Sequence, residues 1–354
     1  MKTTVVMIVA VFLFSAAFSE SLADEHPRSA SAGQMTDAAF DYEHAFEAMS
    51  VLTEDDRSLL AGEVDYQSPS AKALILKLDP ALSYLYRGSM KPNCDWRLNL
   101  QEEGAAADFP HLANVRLLAN CALFRARYNW VQGRKHESLK DLRATIALAN
   151  HVGVKGNNGF VSLLTQYEIE ALSLSFMFDR LKEASAAEIF AGICDGIQIP
   201  TDNAPKTALL LERDVIVPWV KQYVNASSSN STGKKTRVRF LDDLVRRHGQ
   251  QEILDAVEET RNHCTRVADL LDLPPDKFEE QYDLYIEEAD IASNPFSRIV
   301  IVECPGIKRS YYERRELLEQ WLRFKREVKR YLTVSRDNSE VQPVSAPDAD
   351  NPRR

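Results

Sequence analysis

The sequence predicts an all-α protein, an irregular antiparallel array of helices. Three observations predict it. Apolar residues recur at steps of three and four through most of the chain, the period of a helix that packs by one face. Helix start and stop signals bracket these stretches, among them Thr53 followed by Asp56 and the glycine at Gly133. The one stretch that suits a strand as well as a helix is the β-branched run Ile299 to Val302.

The N-terminus reads as a secretory signal over residues 1–23. Lys2 supplies its charge, Val5 to Phe18 its apolar core, and Ser21-Leu22-Ala23 a small-residue site that places cleavage before Asp24. The apolar core is shorter than the roughly 20 residues that span a bilayer, so a retained N-terminal anchor is the lesser reading. No later stretch is long and apolar enough to cross a membrane, and no cysteine near the site offers a lipid anchor. Export to the periplasm or the extracellular space is therefore expected.

Elements follow in order. Thr53 and Asp56 form a capping box, with Asp in the usual Glu position. Ala71 to Tyr86 reads as helix, which Pro80 should restart or kink. Gly88 to Glu103 is a polar loop holding Cys94-Asp95-Trp96. Leu112 to Val131 is apolar nearly all round, the pattern of a central buried helix. Gly133 ends it, and a helix from about Glu137 to Ala149 follows. Gly153, Gly156 and Gly159 mark a loop. A third helix carries Phe160, Leu163, Tyr167, Ala171, Leu174, Phe178 and Leu181. Short connections make these three helices antiparallel neighbours.

Residues 24–224 are read as one helical domain. Residues 225–235, rich in Ser and Asn, are read as a linker or long loop. Residues 236–334 form a C-terminal helical region packed on the first: Val238 to Arg247, Gln251 to Leu271, the acidic Pro275 to Ala289, and Tyr311 to Leu332 with Leu318, Trp321, Val328 and Leu332 inward. The polar tail 335–354 is expected to be disordered.

Composition narrows the function classes. The 354 residues carry a formal charge of −9, which losing Lys2 and Glu20 with the signal leaves unchanged. An acidic chain repels phosphate backbones, so no nucleic-acid partner is expected. Cys94, Cys121, Cys194, Cys264 and Cys304 are too few for a disulfide scaffold, and their odd number leaves a thiol over. The signatures G-x-S-x-G, H-E-x-x-H, G-x-G-x-x-G and the Walker loop are missing. His263-Cys264 has no companion at metal-ligand spacing. No cofactor and no metal are expected.

The turn at Gly133 gives the centre a loose likeness to a tetratricopeptide unit, although no second copy lies at the 34-residue offset. A more specific likeness rests on Cys94-Asp95-Trp96, Pro110-His111-Leu112, Gly133, Ser138-Leu139-Lys140-Asp141-Leu142 and Ile169-Glu170. This stretch, about a quarter of the chain, resembles a group of uncharacterised exported helical proteins of planctomycete-type bacteria. Ser138 departs from the group's usual Ala, and Arg97 stands where a Gly is common. The resemblance implies a helical exported protein and carries over no catalytic residue.

Five residues are candidates for a binding site: Asp95, Trp96, Arg116, Arg125 and Glu170. Trp96 and Asp95 could form a stacking and polar platform. The blander reading has Trp96 plugging the helical layer, Asp95 capping a turn and Cys94 in a disulfide, and it is favoured because large aromatics in loops anchor them. Glu170 borders the seam of Tyr167, Ala171 and Leu174, where a carboxylate needs a partner. Arg116, Arg125 and Arg127 of the preceding layer could supply one. A general acid or base is the functional reading and a structural ion pair the favoured one. The basic last helix could lie on an anionic membrane, but Leu318, Trp321 and Val328 read better as core. The expected function is a non-enzymatic binding or scaffold protein of the bacterial cell envelope, with another envelope protein as partner. An all-helical envelope hydrolase is the alternative.

Overall fold

The computed structural model describes residues 36–62, 64–104, 107, 109–153, 159–183, 185–196, 203–227, 239–292 and 306–340. The expected signal, the Ile299 to Val302 run, most of 225–235 and the tail beyond 340 lie outside them. The described residues are helical, with a single isolated bridge between Asp37 and Asn93. None of their helices is long and apolar enough to cross a membrane.

The first helices begin where side chains meet their free amides. The α1 helix (Ala38–Ala48) is capped by Asp37, which accepts from the Ala39 N–H. The α2 helix (Glu54–Ala61) has the reciprocal capping box of Thr53 and Asp56. The α3 helix (Pro69–Ser89) takes Ser68 as cap and Pro69 as its first residue. Of the two outcomes expected at Pro80, a restart does not occur: the helix runs on through it. The carbonyl that Pro80 cannot reach is that of Leu76, whose residue lies on the solvent face, where water can satisfy it.

After the short α4 (Leu100–Glu103) come α5 (Pro110–Val131), α6 (Lys135–Val152) and α7 (Phe160–Arg180). Gly133 takes a left-handed φ of 73° and turns the chain back, so α5 and α6 pack antiparallel. The α5 helix is buried on most sides, as its sequence predicts: Leu118 and Ala122 face one apolar cluster and Leu123 and Trp130 another. The first cluster joins α1, α3, α5 and α6. The second joins α5 to α9 with α12 to α14.

The middle of the chain holds helices that its mixed pattern does not single out. These are α8 (Ala186–Gly196), α9 (Ala204–Leu211), one turn of π-helix (Glu212–Ile216) and α10 (Val217–Ser227). The π-turn has a local cause. Pro218 has no N–H for the Asp214 carbonyl, and the Val217 N–H reaches back five residues to the Glu212 carbonyl. Helix α10 also runs into the expected linker, as far as Ser227. Then come α11 (Arg239–His248), α12 (Gln250–Leu270), α13 (Pro275–Ala292) and α14 (Gly306–Glu340).

The α14 helix is longer than the sequence reading at both ends. Its last turns lie in the expected tail, where no Gly or Pro occurs before Pro343 to stop a helix. Leu317, Trp321, Phe324 and Val328 form its buried stripe, and Leu318 lies at the margin. The stripe packs on α7, α8 and α9, with Phe324 edge-on to Phe178 and Phe190.

Candidate functional site

The Cys94-Asp95-Trp96 loop is pinned to the start of α1. Asp37 Oδ1 accepts from both the Ala39 N–H (3.1 Å) and the Asp95 N–H (2.9 Å), and the Ala38 N–H bonds the Asn93 carbonyl at 2.8 Å. Asp95 accepts from the Arg97 N–H at 2.8 Å and so caps a turn, as the bland reading expects. Arg97 takes φ 55°, a left-handed conformation that a Gly adopts freely. Its guanidinium recovers part of that cost over the Phe40 ring, 3.9 Å from the centroid, and against Glu43 at 3.3 Å.

Trp96 plugs the layer. Its ring stacks on His111 at 4.5 Å and lies beside Tyr42 and Phe46, and its indole N–H donates to the His151 carbonyl at 3.1 Å. Burial holds the His111 imidazole down to about 4, so it is neutral at pH 7. Cys94 is a buried thiol outside any disulfide, which corrects the bland reading on that point. Burial, and then the Asp37 carboxylate, push its ionisation up.

Glu170 lies deeper than the sequence suggests. It is 1 % exposed, whereas Ala171 faces solvent, so the true seam of α7 runs Tyr167, Glu170, Leu174 and Met177. None of the three expected arginines reaches it. Arg116 pairs with Glu168 at 2.7 Å on the surface. Arg125 joins Asp141 (2.7 Å) and Asp79 (2.8 Å), locking α3, α5 and α6 together. Arg127 sits over Phe176. The partners of Glu170 come instead from its own helix and from α14. Gln166 Nε2 donates to Oε1 at 2.6 Å, Trp321 Nε1 donates to Oε2 at 3.2 Å, and Arg314 Nη1 is 3.8 Å from Oε2. Burial raises the Glu170 pKa, and Gln166, Arg314 and Trp321 pull against it.

The Trp96 and Glu170 groups form one polar thread, although the two side chains do not meet. Tyr42 Oη is 2.7 Å from His151 Nδ1, and Trp96 bonds the His151 carbonyl. The neighbouring Asn150 Oδ1 accepts from Gln166 Nε2 at 3.2 Å, and the same amide reaches Glu170. The thread runs from α1 through the end of α6 into α7 and ends on α14. Gly153 lets it pass: a Cβ there would lie 1.8 Å from Gln166 Oε1. Gly153→Ala is expected to displace the amide, break both bonds and cost about 2 kcal/mol, read as a lowered urea midpoint.

Sequence reasoning missed Glu212. It sits on the π-turn, and its carboxylate accepts from the Phe160 N–H, the first amide of α7. Gly159 makes room for it, since a Cβ there would lie 2.7 Å from Oε1. Burial pushes the Glu212 pKa up to about 7, and the Phe160 amide pulls it partly back. The signal in the sequence was a charged triplet, Glu212-Arg213-Asp214, set between Leu209-Leu210-Leu211 and Val215-Ile216-Val217.

The structure thus divides the five candidates. Asp95 and Trp96 fasten a loop, Arg116 and Arg125 hold ion pairs, and Glu170 ties α7 to α14. Comparison with protein-family models, curated proteins and solved structures finds no match to this chain.

Proposed function

We propose that this chain is an exported, non-enzymatic helical binding or scaffold protein of the bacterial cell envelope, working through outward helix faces. The observation that supports this most is the solvent face of α3. Leu76 (67 % exposed), Pro80, Tyr86 (45 %) and Met90 (72 %, just past the end of the helix) are spaced along that face, with Asp79, Ser83 and Arg87 between them. Large apolar side chains in water, set among polar ones on one rigid face, suit a contact surface. The opposite face of α3 is core, so the row is presented on a rigid support. The likeness to exported planctomycete-type proteins, the apolar core from Val5 to Phe18 and the tetratricopeptide-like turn at Gly133 point the same way.

A photo-crosslinking residue at Leu76 or Met90, in the cells that make the protein, is expected to give one discrete protein adduct. The same residue at Lys140 on α6 is expected to give none. Equal labelling at all three positions, or none at any, would contradict the reading.

A hydrolase is the second reading, and Glu212 is the residue that favours it. A half-buried carboxyl poised near neutrality suits general acid or base work. Turnover of nitrophenyl esters or glycosides that Glu212→Gln abolishes would establish it.

A further inference from the structure

Many cationic groups of the described residues are matched by carboxylates. Lys308 pairs with Asp283, Arg266 with Glu288, Arg116 with Glu168, and Arg125 with Asp141 and Asp79. The second half of α14 differs in how densely its cations are gathered. Arg323, Lys325, Arg326, Lys329 and Arg330 fall within eight residues, with Glu327 the sole acid among them. Glu327 pairs with Arg330 at 2.8 Å. Arg326 and Lys329 have no ion-pair partner among the described residues, and both are exposed.

Helix spacing makes this arrangement unfavourable in the isolated protein. Arg326 and Lys329 are three apart, and Lys325 and Lys329, like Arg326 and Arg330, are four apart, so like charges face each other on adjacent turns. The helix continues to Glu340, so the cations lie too far from its C-terminus for the dipole to reward them. Leu322 stands exposed (43 %) at the start of the stripe, an apolar contact amid the cations.

The geometry points to the outward stripe of α14, Leu322 to Arg330, as a docking surface for an acidic polypeptide segment. The stripe is narrow and about 12 Å long at 1.5 Å per residue, the footprint of a short helix or strand. A flat anionic membrane fits it less well. The apolar side of α14 is already buried on α7, α8 and α9, so the helix has no free face to insert. Glu316 and Glu319, exposed two turns and one turn earlier, would meet the same membrane plane. This surface is separate from the α3 row, so either can fail without the other.

The test uses the whole protein and a fluorescent twelve-residue oligoglutamate peptide in low salt. The expected result is saturable binding to one site, weakened by salt as exposed charge pairs are. Arg326→Glu with Lys329→Glu is expected to weaken binding about tenfold or more, and the milder Arg326→Gln with Lys329→Gln to weaken it less. A control with the same change in net charge, Lys72→Glu with Lys277→Glu, is expected to bind as the unaltered protein does. Far-UV dichroism and melting temperature verify that each variant is folded. The proposal is overturned if the unaltered protein does not bind, if the control loses as much as the α14 variant, or if phosphatidylglycerol vesicles bind through Arg326 and Lys329 while the peptide does not.

Discussion

Replacing Arg314 with Met is expected to destabilise the protein by about 3–5 kcal/mol near pH 8, seen as a large drop in the urea midpoint. Arg314 and Glu170 are both fully buried. Removing Arg314 leaves the Glu170 carboxylate without its counter-ion in a medium that solvates it poorly. The cycle also needs Glu170→Gln alone, which removes the charge at 170 but keeps an acceptor for the Trp321 N–H. The double variant Glu170→Gln with Arg314→Met is expected to recover most of the loss. A Gln carbonyl at 170 still accepts from the Trp321 N–H, and no charge remains buried. The coupling in this cycle separates a paired site from two independent packing losses. The deficit of Arg314→Met has a definite pH dependence. The Glu170 pKa is already raised by burial, and loss of Arg314 raises it further. A carboxyl whose folded pKa exceeds its unfolded one favours the folded state when protonated, so the deficit shrinks as pH falls and grows as pH rises.

Glu212→Gln is expected to change the pH profile of stability by up to about 3 kcal/mol. The folded pKa of about 7 lies above the ordinary Glu value of 4.5. Between these two values the folded state holds a proton that the unfolded state has released, so stability falls as pH rises through this window. Below pH 4.5 both states are protonated, and above pH 7 both are ionised and the profile is flat. Gln cannot ionise, yet its carbonyl can still accept from the Phe160 amide. The stability of Glu212→Gln relative to the unaltered protein should therefore climb between pH 4.5 and 7.5. Denaturation series at pH 4.5, 6 and 8 measure it, and parallel profiles would contradict the burial of that carboxyl.

Most of the helices were legible in the sequence because their cores are periodic and their ends carry Gly, Pro, Ser or Thr. The limits of α5, α6, α7, α12 and α13 agree with the pattern to within three residues. The segment from Ala186 to Ser227 was not legible: its helices are short, and the π-turn breaks the period midway. Whether Pro80 restarts the helix or is taken up within it depends on whether the carbonyl it forgoes faces water, which is a tertiary fact. The site was legible only in part. That Glu170 borders an apolar seam and needs a partner such as an arginine can be read from one helix. That the arginine is Arg314, 144 positions away, cannot, since a helical wheel of α7 does not say which helix covers it. The expected roles of Trp96 and Asp95 followed from general habits of loop aromatics and of Asp in turns, and the structure keeps them.

The central claim is that Glu170 anchors α14 to the body of the protein. Hydrogen exchange along α14 tests it most directly. In Arg314→Met, the amides from Leu317 to Val328 are expected to exchange much faster than in the unaltered protein, while those of α1 and α3 keep their protection. Unchanged protection from Leu317 to Val328 would contradict the claim, for it would mean that apolar packing alone holds the helix in place.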